Sequence, residues 1–203
     1  MNKRIITISR EFGSGGRTIG RKVAEKLGIG FYDKELVKQV AVESGLHEDY
    51  IEQNGEYASS KNWLAYAFSS MGTQGVMHGM SMDDFLWAMQ RKVILELADK
   101  EPCVIVGRCA DYILKDRDDC LNVFIHAPKD KRAERIVKLY GESDVAPEKR
   151  LDDKDARRRV NYRHFTGREW GVAQNYHLAL DSGMLGIEGC VDLIAAAFQR
   201  EEE

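Results

Sequence analysis

The sequence predicts an α/β protein built on a parallel sheet, and two observations support this fold class. Short apolar runs alternate with amphipathic helical segments along the 203 residues, which is the order that produces a parallel sheet covered by helices. Glycine or polar residues follow the apolar runs, at the strand ends where open α/β sheets bind ligands. With 43% hydrophobic and 31% charged residues, we expect a single folded domain over residues 1–203.

The individual elements follow from hydrophobic periodicity and from turn residues. The predicted strands cover residues 5–8, 30–32, 103–106, 121–125 and 178–180. The predicted helices cover residues 19–27, 35–44, 83–98, 129–140, 147–165 and 187–198. The first helix has Ile19, Val23 and Leu27 on one face, and Gly28 is a natural residue to end it.

The stretch from about residue 46 to residue 82 interrupts this alternation. It is rich in Ser, Gly, Met, Tyr and Glu, with one short helix predicted at 63–68. Long irregular segments inside compact domains are often lids or binding loops. We therefore interpret it as an insertion that shapes a binding site, and the alternative is a surface loop without function.

Composition argues against several classes of protein. A net charge of −3 does not favour a general nucleic-acid binder. The four cysteines, Cys103, Cys109, Cys120 and Cys190, form no CxxC pattern with histidine partners, which argues against a zinc site. No apolar run has the length of a membrane helix, and no signal peptide is recognised. We expect a cytoplasmic protein with reduced thiols.

A glycine-rich turn follows the first strand and is the main candidate for ligand binding. Gly13, Ser14, Gly15 and Gly16 precede a helix, so backbone N–H groups and the positive end of the helix dipole can bind a phosphate. The turn resembles a P-loop, but no lysine follows its glycines. An alternative is a glycine turn that binds sulfate or no ligand at all.

Several motifs, in their order and spacing, resemble the nucleoside-monophosphate kinases, specifically the cytidylate kinases and their cytidylate kinase-like relatives. The matching motifs are Ile6-Thr7-Ile8, Phe31-Tyr32-Asp33, Val104-Ile105-Val106-Gly107-Arg108 and Lys131-Arg132-Ala133-Glu134-Arg135. The resemblance implies a P-loop kinase fold: a five-stranded parallel sheet flanked by helices, with a helical acceptor lobe at 46–90 and a basic lid at 147–170. It also implies transfer of a phosphoryl group from ATP, with Mg²⁺, to a nucleoside monophosphate, with CMP or dCMP first among acceptors.

An ungapped match to this family aligns Gly16 with the P-loop lysine. A shift by one residue aligns Arg17 with the lysine instead and Thr18 with the hydroxyl residue that reaches Mg²⁺. We favour the shifted alignment, although arginine is not a neutral replacement for lysine. It makes Arg17 the phosphate-binding cation and a catalytic residue. It makes Gly13, Ser14, Gly15, Gly16 and Thr18 the rest of the donor site.

The resemblance also assigns residues to the acceptor and to the lid. It implies that Asp33, Arg91 and Arg108 bind the acceptor, and that Arg157 and Arg158 of the lid act in catalysis. Two acids of the family pattern are absent, because Val106 and Cys109 stand at their positions, with Asp111 as a nearby substitute.

Other interpretations remain open on the sequence. Asp33 also fits a plain helix N-cap, and the basic helix also fits a solvated face or an RNA-binding surface. The missing lysine and acids favour a non-catalytic nucleotide-binding protein, and the insertion permits a kinase of a different small metabolite. The small-molecule partners expected are nucleotides, and aromatic and Met residues of the insertion make a homodimer a further expectation.

Overall fold

A computed structural model describes residues 3–33, 36 and 82–200. In this part of the chain, five strands form one sheet in the order β2-β3-β1-β4-β5. All four strand pairs are parallel, as the alternation of elements predicts. The strands are β1 (Ile5–Arg10), β2 (Gly30–Tyr32), β3 (Cys103–Val106), β4 (Cys120–His126) and β5 (Leu178–Asp181).

Helices connect and cover these strands. They are α1 (Gly16–Leu27), α2 (Met82–Lys100), α3 (Ala110–Ile113), α4 (Lys129–Tyr140), α5 (Pro147–Thr166) and α6 (Gly186–Gln199), and a 3-10 turn lies at Ala173–Asn175. The predicted ends of the long helices agree closely with these bounds, and Gly28 ends α1 in a left-handed conformation. The short helix α3 was not predicted, because a single turn leaves no periodic pattern in the sequence.

The sheet is buried on both faces, which explains the continuous apolar runs of its strands. Alternate residues of a strand point to opposite faces. Ile6 and Ile8 of β1 accordingly pack with residues of α1 and α6, whereas Ile5 packs with residues of α2 and α3. Strand β1 is central and lies between β3 and β4.

The strand order brings the ends of the strands together around the glycine turn. The residues Gly107 and Arg108 follow β3 on one side of β1, and His126 ends β4 on the other side. In open parallel sheets the ligand binds where neighbouring connections diverge. The predicted crevice therefore has its centre at the end of β1.

Two predictions fall largely on residues outside the described ranges. One is the helix predicted at 35–44, of which only Leu36 is described. The other is the acceptor lobe predicted at 46–90, which is described only from residue 82 onward. Residues 82–90 form the first half of α2, in which Leu86 packs in the main core. Among the described residues, none of the helices combines the length and the apolar character needed to cross a membrane.

Candidate active site

The glycine turn joins the central strand to α1 through a backbone that only glycine adopts easily. Gly15 has φ +82°, and a Cβ atom there would lie 2.6 Å from Ile187 Cδ1. Gly15 is also the N-cap of α1 and supplies no side-chain cap. The first N–H groups of a helix have no intrahelical acceptor, so this end of α1 is suited to bind a phosphate.

Side chains behind the glycine turn hold it in place. Arg135 Nη1 of α4 donates to the Gly13 carbonyl at 2.7 Å, and the fully buried Ser14 donates through its hydroxyl to the Glu11 carbonyl at 2.9 Å. The hydroxyl of Ser182 donates to the Ser14 carbonyl. The side chain of Ser14 therefore faces the protein interior, and its backbone N–H also donates to the Glu11 carbonyl at 3.3 Å, so its role in the donor site stays a prediction.

Arg17, the cation favoured by the sequence, forms an ion pair with Asp33. Its side chain is 47% exposed on the first turn of α1, and Asp33 directly follows β2. The structure thus joins two residues that the resemblance assigns to opposite halves of the site. Thr18 is half-buried on the same turn of α1. The role of Arg17 as the phosphate cation stays a prediction.

An arginine-lined pocket lies beside the glycine turn, at the carboxyl ends of β1 and β3. The residues around it are Ser9, Arg10, Gly107, Arg108, Cys109, Arg158, Asn161, Tyr162 and Trp170. Three of these described lining residues are arginines, and none of them is an aspartate or glutamate. Guanidinium groups bind phosphate oxygens with two parallel hydrogen bonds, so the pocket is suited to a phosphate group.

A left-handed turn after β3 places Arg108 at the edge of this pocket. Gly107, Arg108 and Cys109 all have positive φ, at 76°, 57° and 53°. A residue with a Cβ in this region costs about 1–2 kcal/mol, and such strain is concentrated at functional sites. The Arg108 side chain is 8% exposed, and its Nη1 lies 3.4 Å from Gln90 Oε1.

Gln90 of α2 was not predicted as a site residue. It is buried on the apolar face of the helix, four positions after Leu86 and four before Ile94. A polar residue on the apolar face of a helix was the available signal. The neighbouring Arg91 is exposed and is not among the residues that line the pocket, so its predicted acceptor role stays a prediction.

Asp111 lies behind the pocket and links two of its walls. It is 3% exposed and accepts hydrogen bonds from the Tyr162 hydroxyl at 2.6 Å and from the Ser9 hydroxyl at 3.2 Å. Burial raises the pKa of the Asp111 carboxyl, and the two hydrogen bonds oppose that rise. Asp111 therefore positions Ser9 and Tyr162 rather than facing the pocket itself.

The helix predicted to form a lid is hydrogen-bonded to residues that directly precede the glycine turn. Asp155 of α5 is 3% exposed, accepts from the Phe12 N–H at 2.8 Å and binds Arg132 Nη1 at 2.6 Å. Arg158, one turn further along, donates to the Arg10 carbonyl at 3.3 Å. Of the two predicted lid arginines, Arg158 lines the pocket, whereas Arg157 is exposed.

The donor set fits Mg²⁺ held mainly by a substrate. The described residues contain no group of three or more His, Cys, Asp or Glu that could hold a metal ion. Mg²⁺ often needs only one or two protein ligands, because phosphate oxygens and water complete its coordination. The Thr18 hydroxyl near the start of α1 is suited to such a site.

The parallel sheet, the glycine turn and the arginine pocket beside it define a P-loop kinase. The sequence profile of the cytidylate kinase-like family matches residues 5–184, and the chain belongs to this family. Cytidylate kinase of Archaeoglobus fulgidus is 29% identical over 199 residues, covering 96% of this chain and 94% of that protein. Cytidylate kinase of Pyrococcus horikoshii is 26% identical over 197 residues, covering 97% of this chain and 88% of that protein.

Solved structures have the same architecture. An uncharacterized protein from Eubacterium ventriosum superposes with a TM-score of 0.73 at 25% identity, covering 98% of this chain and all of that chain. Shikimate kinase from Acinetobacter baumannii superposes with a TM-score of 0.54 at 16% identity, covering 96% of this chain and 92% of that chain. The likeness to shikimate kinase shows the fold alone. The chain is thus a nucleoside-monophosphate kinase-like member of the P-loop kinases.

Proposed function

We propose that the protein transfers a phosphoryl group from ATP to a nucleoside monophosphate, with CMP or dCMP as the preferred acceptor. The single observation that carries this proposal is the pocket lined by Arg10, Arg108 and Arg158 beside the glycine turn. Its arginines come from two strand ends and one helix, and all border the same space. Family membership supports the reaction class, and the relatives named cytidylate kinase support the acceptor.

Phosphoryl transfer requires positioning and charge neutralisation more than covalent chemistry by the protein. The backbone N–H groups of Gly13 and of residues 15–18 would hold the donor phosphates, and the Ser14 N–H would join them after release from the Glu11 carbonyl. Arg108, at the end of β3, would hold the phosphate of the acceptor. Arg158 would stabilise the charge on the transferred group, because preorganised cations are most effective in a site that excludes water.

Mg²⁺ is the metal that this reaction would use. It would neutralise charge on the donor phosphates, and the Thr18 hydroxyl is the protein group suited to hold it. The exposed Arg91 and Arg157, together with Asp33, are the remaining residues for which we propose substrate contacts. The ion pair of Asp33 with Arg17 means that a nucleotide contacting one of these two side chains also affects the other.

A non-catalytic nucleotide-binding protein is the second candidate function. Val106 and Cys109 replace two acids of the family pattern, and Gly16 aligns with its lysine. Binding without turnover would follow if these replacements removed catalysis and left the phosphate contacts intact. A kinase of another small metabolite is the third candidate, because the insertion at about 46–82 is the part of the sequence that would encode the choice of acceptor.

The test is a coupled phosphotransfer assay with ATP and Mg²⁺ over CMP, dCMP, UMP, AMP and a panel of small hydroxyl metabolites. We expect turnover with CMP or dCMP. Arg108→Ala should lower kcat/KM for the acceptor about 10- to 100-fold, since a hydrogen bond to a charged group is worth about 1.5–3 kcal/mol. Arg21→Ala, on the exposed face of α1, is the matched control and should change kcat/KM less than about twofold.

Binding calorimetry with ATP separates the alternatives. Nucleotide binding with no turnover for any acceptor would contradict the kinase proposal and favour the non-catalytic function. Turnover confined to a metabolite other than a nucleotide would retain the reaction and replace the acceptor.

A further inference from the structure

We infer that Arg10, the last residue of β1, supplies the phosphate-binding cation that the glycine turn lacks at position 16. The inference deepens the proposed function and rests on it, because it names the group that contacts the donor phosphates. Arg17 is the competing residue that the sequence favours.

The first step is the alignment of the turn with the P-loop pattern. That pattern has a first glycine, four variable residues, a second glycine and then the lysine that begins the helix. The N-cap of α1 is Gly15 and its first helical residue is Gly16, so Gly15 corresponds to the second glycine and Gly16 to the lysine. Counting back five positions places Arg10 at the first glycine. Where the pattern has its first glycine, this chain has Arg10. Where the pattern has its lysine, this chain has Gly16.

The second step is that these two positions are in contact. A Cβ atom built on Gly16 would lie 2.5 Å from Arg10 Cβ and 3.0 Å from Arg10 Cγ. Two carbon atoms that are not bonded do not approach to 2.5 Å, since their optimal separation is about 3.5–4.0 Å. The stem of Arg10 therefore occupies the space in which a side chain at position 16 would begin. On this backbone, arginine at position 10 and lysine at position 16 exclude each other.

The third step is the position of the two candidate residues relative to the arginine-lined pocket. Arg10 lines the pocket together with Arg108 and Arg158, and the Arg10 carbonyl accepts a hydrogen bond from Arg158 Nη1 at 3.3 Å. Arg17 is not among the residues around that pocket and is paired with Asp33. A guanidinium placed at the end of β1 can bind phosphate with two hydrogen bonds, which an ammonium group does not.

The experiment measures nucleotide binding separately from turnover. Isothermal titration calorimetry with the β,γ-imido analogue of ATP and Mg²⁺ gives Kd for the wild type, Arg10→Met, Arg17→Met and Arg10→Lys. Methionine keeps an unbranched stem against Gly16 and removes the charge, so that packing is preserved. We expect Arg10→Met to raise Kd about 10- to 100-fold, Arg10→Lys to recover part of this loss, and Arg17→Met to change Kd less than about threefold.

An exchange variant provides a second test. Gly16→Lys alone should lose binding, because its Cβ meets the Arg10 stem. The double variant Arg10→Gly/Gly16→Lys restores the P-loop pattern and should return Kd to within about tenfold of the wild type. Thermal unfolding followed by circular dichroism reports whether each variant is folded.

An unchanged Kd for folded Arg10→Met would overturn the inference, as would a larger loss for Arg17→Met. These outcomes differ from failure of the proposed function. That failure would appear as a wild-type protein that binds the analogue and transfers phosphate to no acceptor.

Discussion

Asp155, in the middle of α5, accepts a hydrogen bond of 2.8 Å from the backbone N–H of Phe12 in the turn that follows β1. The residues are 143 positions apart in the sequence. The same carboxylate binds Arg132 of α4 at 2.6 Å, so one buried group joins the turn, α4 and α5. The helix predicted to form a lid is therefore joined at this point to the turn that follows β1, and Arg158 lies about one helical turn beyond the contact.

Removing Asp155 should destabilise the fold strongly. Asp155→Ala leaves the buried Arg132 guanidinium without its nearest carboxylate, and breaking a buried pair in this way costs about 3 kcal/mol or more. The matched control is Asp152→Ala on the same helix, where Asp152 binds Lys129 at the surface and the loss should stay below about 1 kcal/mol. Urea unfolding measures both values. Equal losses in the two variants would show that the buried link does not stabilise the fold.

Alanine substitution should destabilise the protein to different extents at Gly15 and Gly28, although both residues have positive φ. Gly28→Ala has no atom within 4 Å of its new Cβ, and we expect only the backbone cost of about 1–2 kcal/mol. Gly15→Ala adds a contact of 2.6 Å with Ile187 Cδ1 and should cost more. Ile187→Val removes that methyl group, so a double-mutant cycle should show positive coupling between positions 15 and 187. Additive effects would contradict the contact.

The two lid arginines should differ in their effect on catalysis. Arg158 has a side chain that is 11% exposed and lines the pocket, whereas Arg157 is exposed. Arg158→Ala should lower kcat about 100-fold, the typical loss when one donor to the transition state is removed. Arg157→Ala should lower kcat less than about tenfold. Steady-state kinetics at saturating ATP test this, and a greater loss for Arg157 would place the catalytic arginine on the exposed face of α5.

Stability should fall as the pH drops through the histidine range, because of His177. Its Nδ1 accepts a hydrogen bond of 2.9 Å from the Asn122 backbone N–H, and this bond requires an unprotonated Nδ1. Desolvation and the nearby Lys3 lower the pKa of His177 below its usual 6.5. The unfolded chain therefore binds more protons between the folded pKa and about 6.5, and the stabilisation is present above 6.5 and lost below it.

The control for this pH dependence is His177→Asn. An asparagine Oδ1 can replace the Nδ1 acceptor without titrating. Unfolding midpoints measured from pH 8 to pH 5 should decline less in this variant than in the wild type. An identical decline in both proteins would exclude His177 as the titrating group.

Much of the fold could be predicted because its signals are local. The apolar run Val104–Val106 indicates a buried strand, and the four-residue spacing of Ile19 and Val23 indicates a helix with one buried face. Both predictions are confirmed. The single-turn helix α3 left no such period. Arg10 escaped attention for another reason, because a charged residue at the end of a strand looks like an ordinary surface position.

The sequence by itself determined the order of the elements, the parallel sheet, the glycine turn and the family. These follow from spacing between near neighbours, which the backbone periods of helix and strand impose. Only the tertiary structure decided which arginines share a pocket: it placed Arg10 and Arg158 there and paired Arg17 with Asp33. The physical reason is that such contacts join residues far apart in the chain, and their geometry depends on strand order and on how α5 packs against the turn.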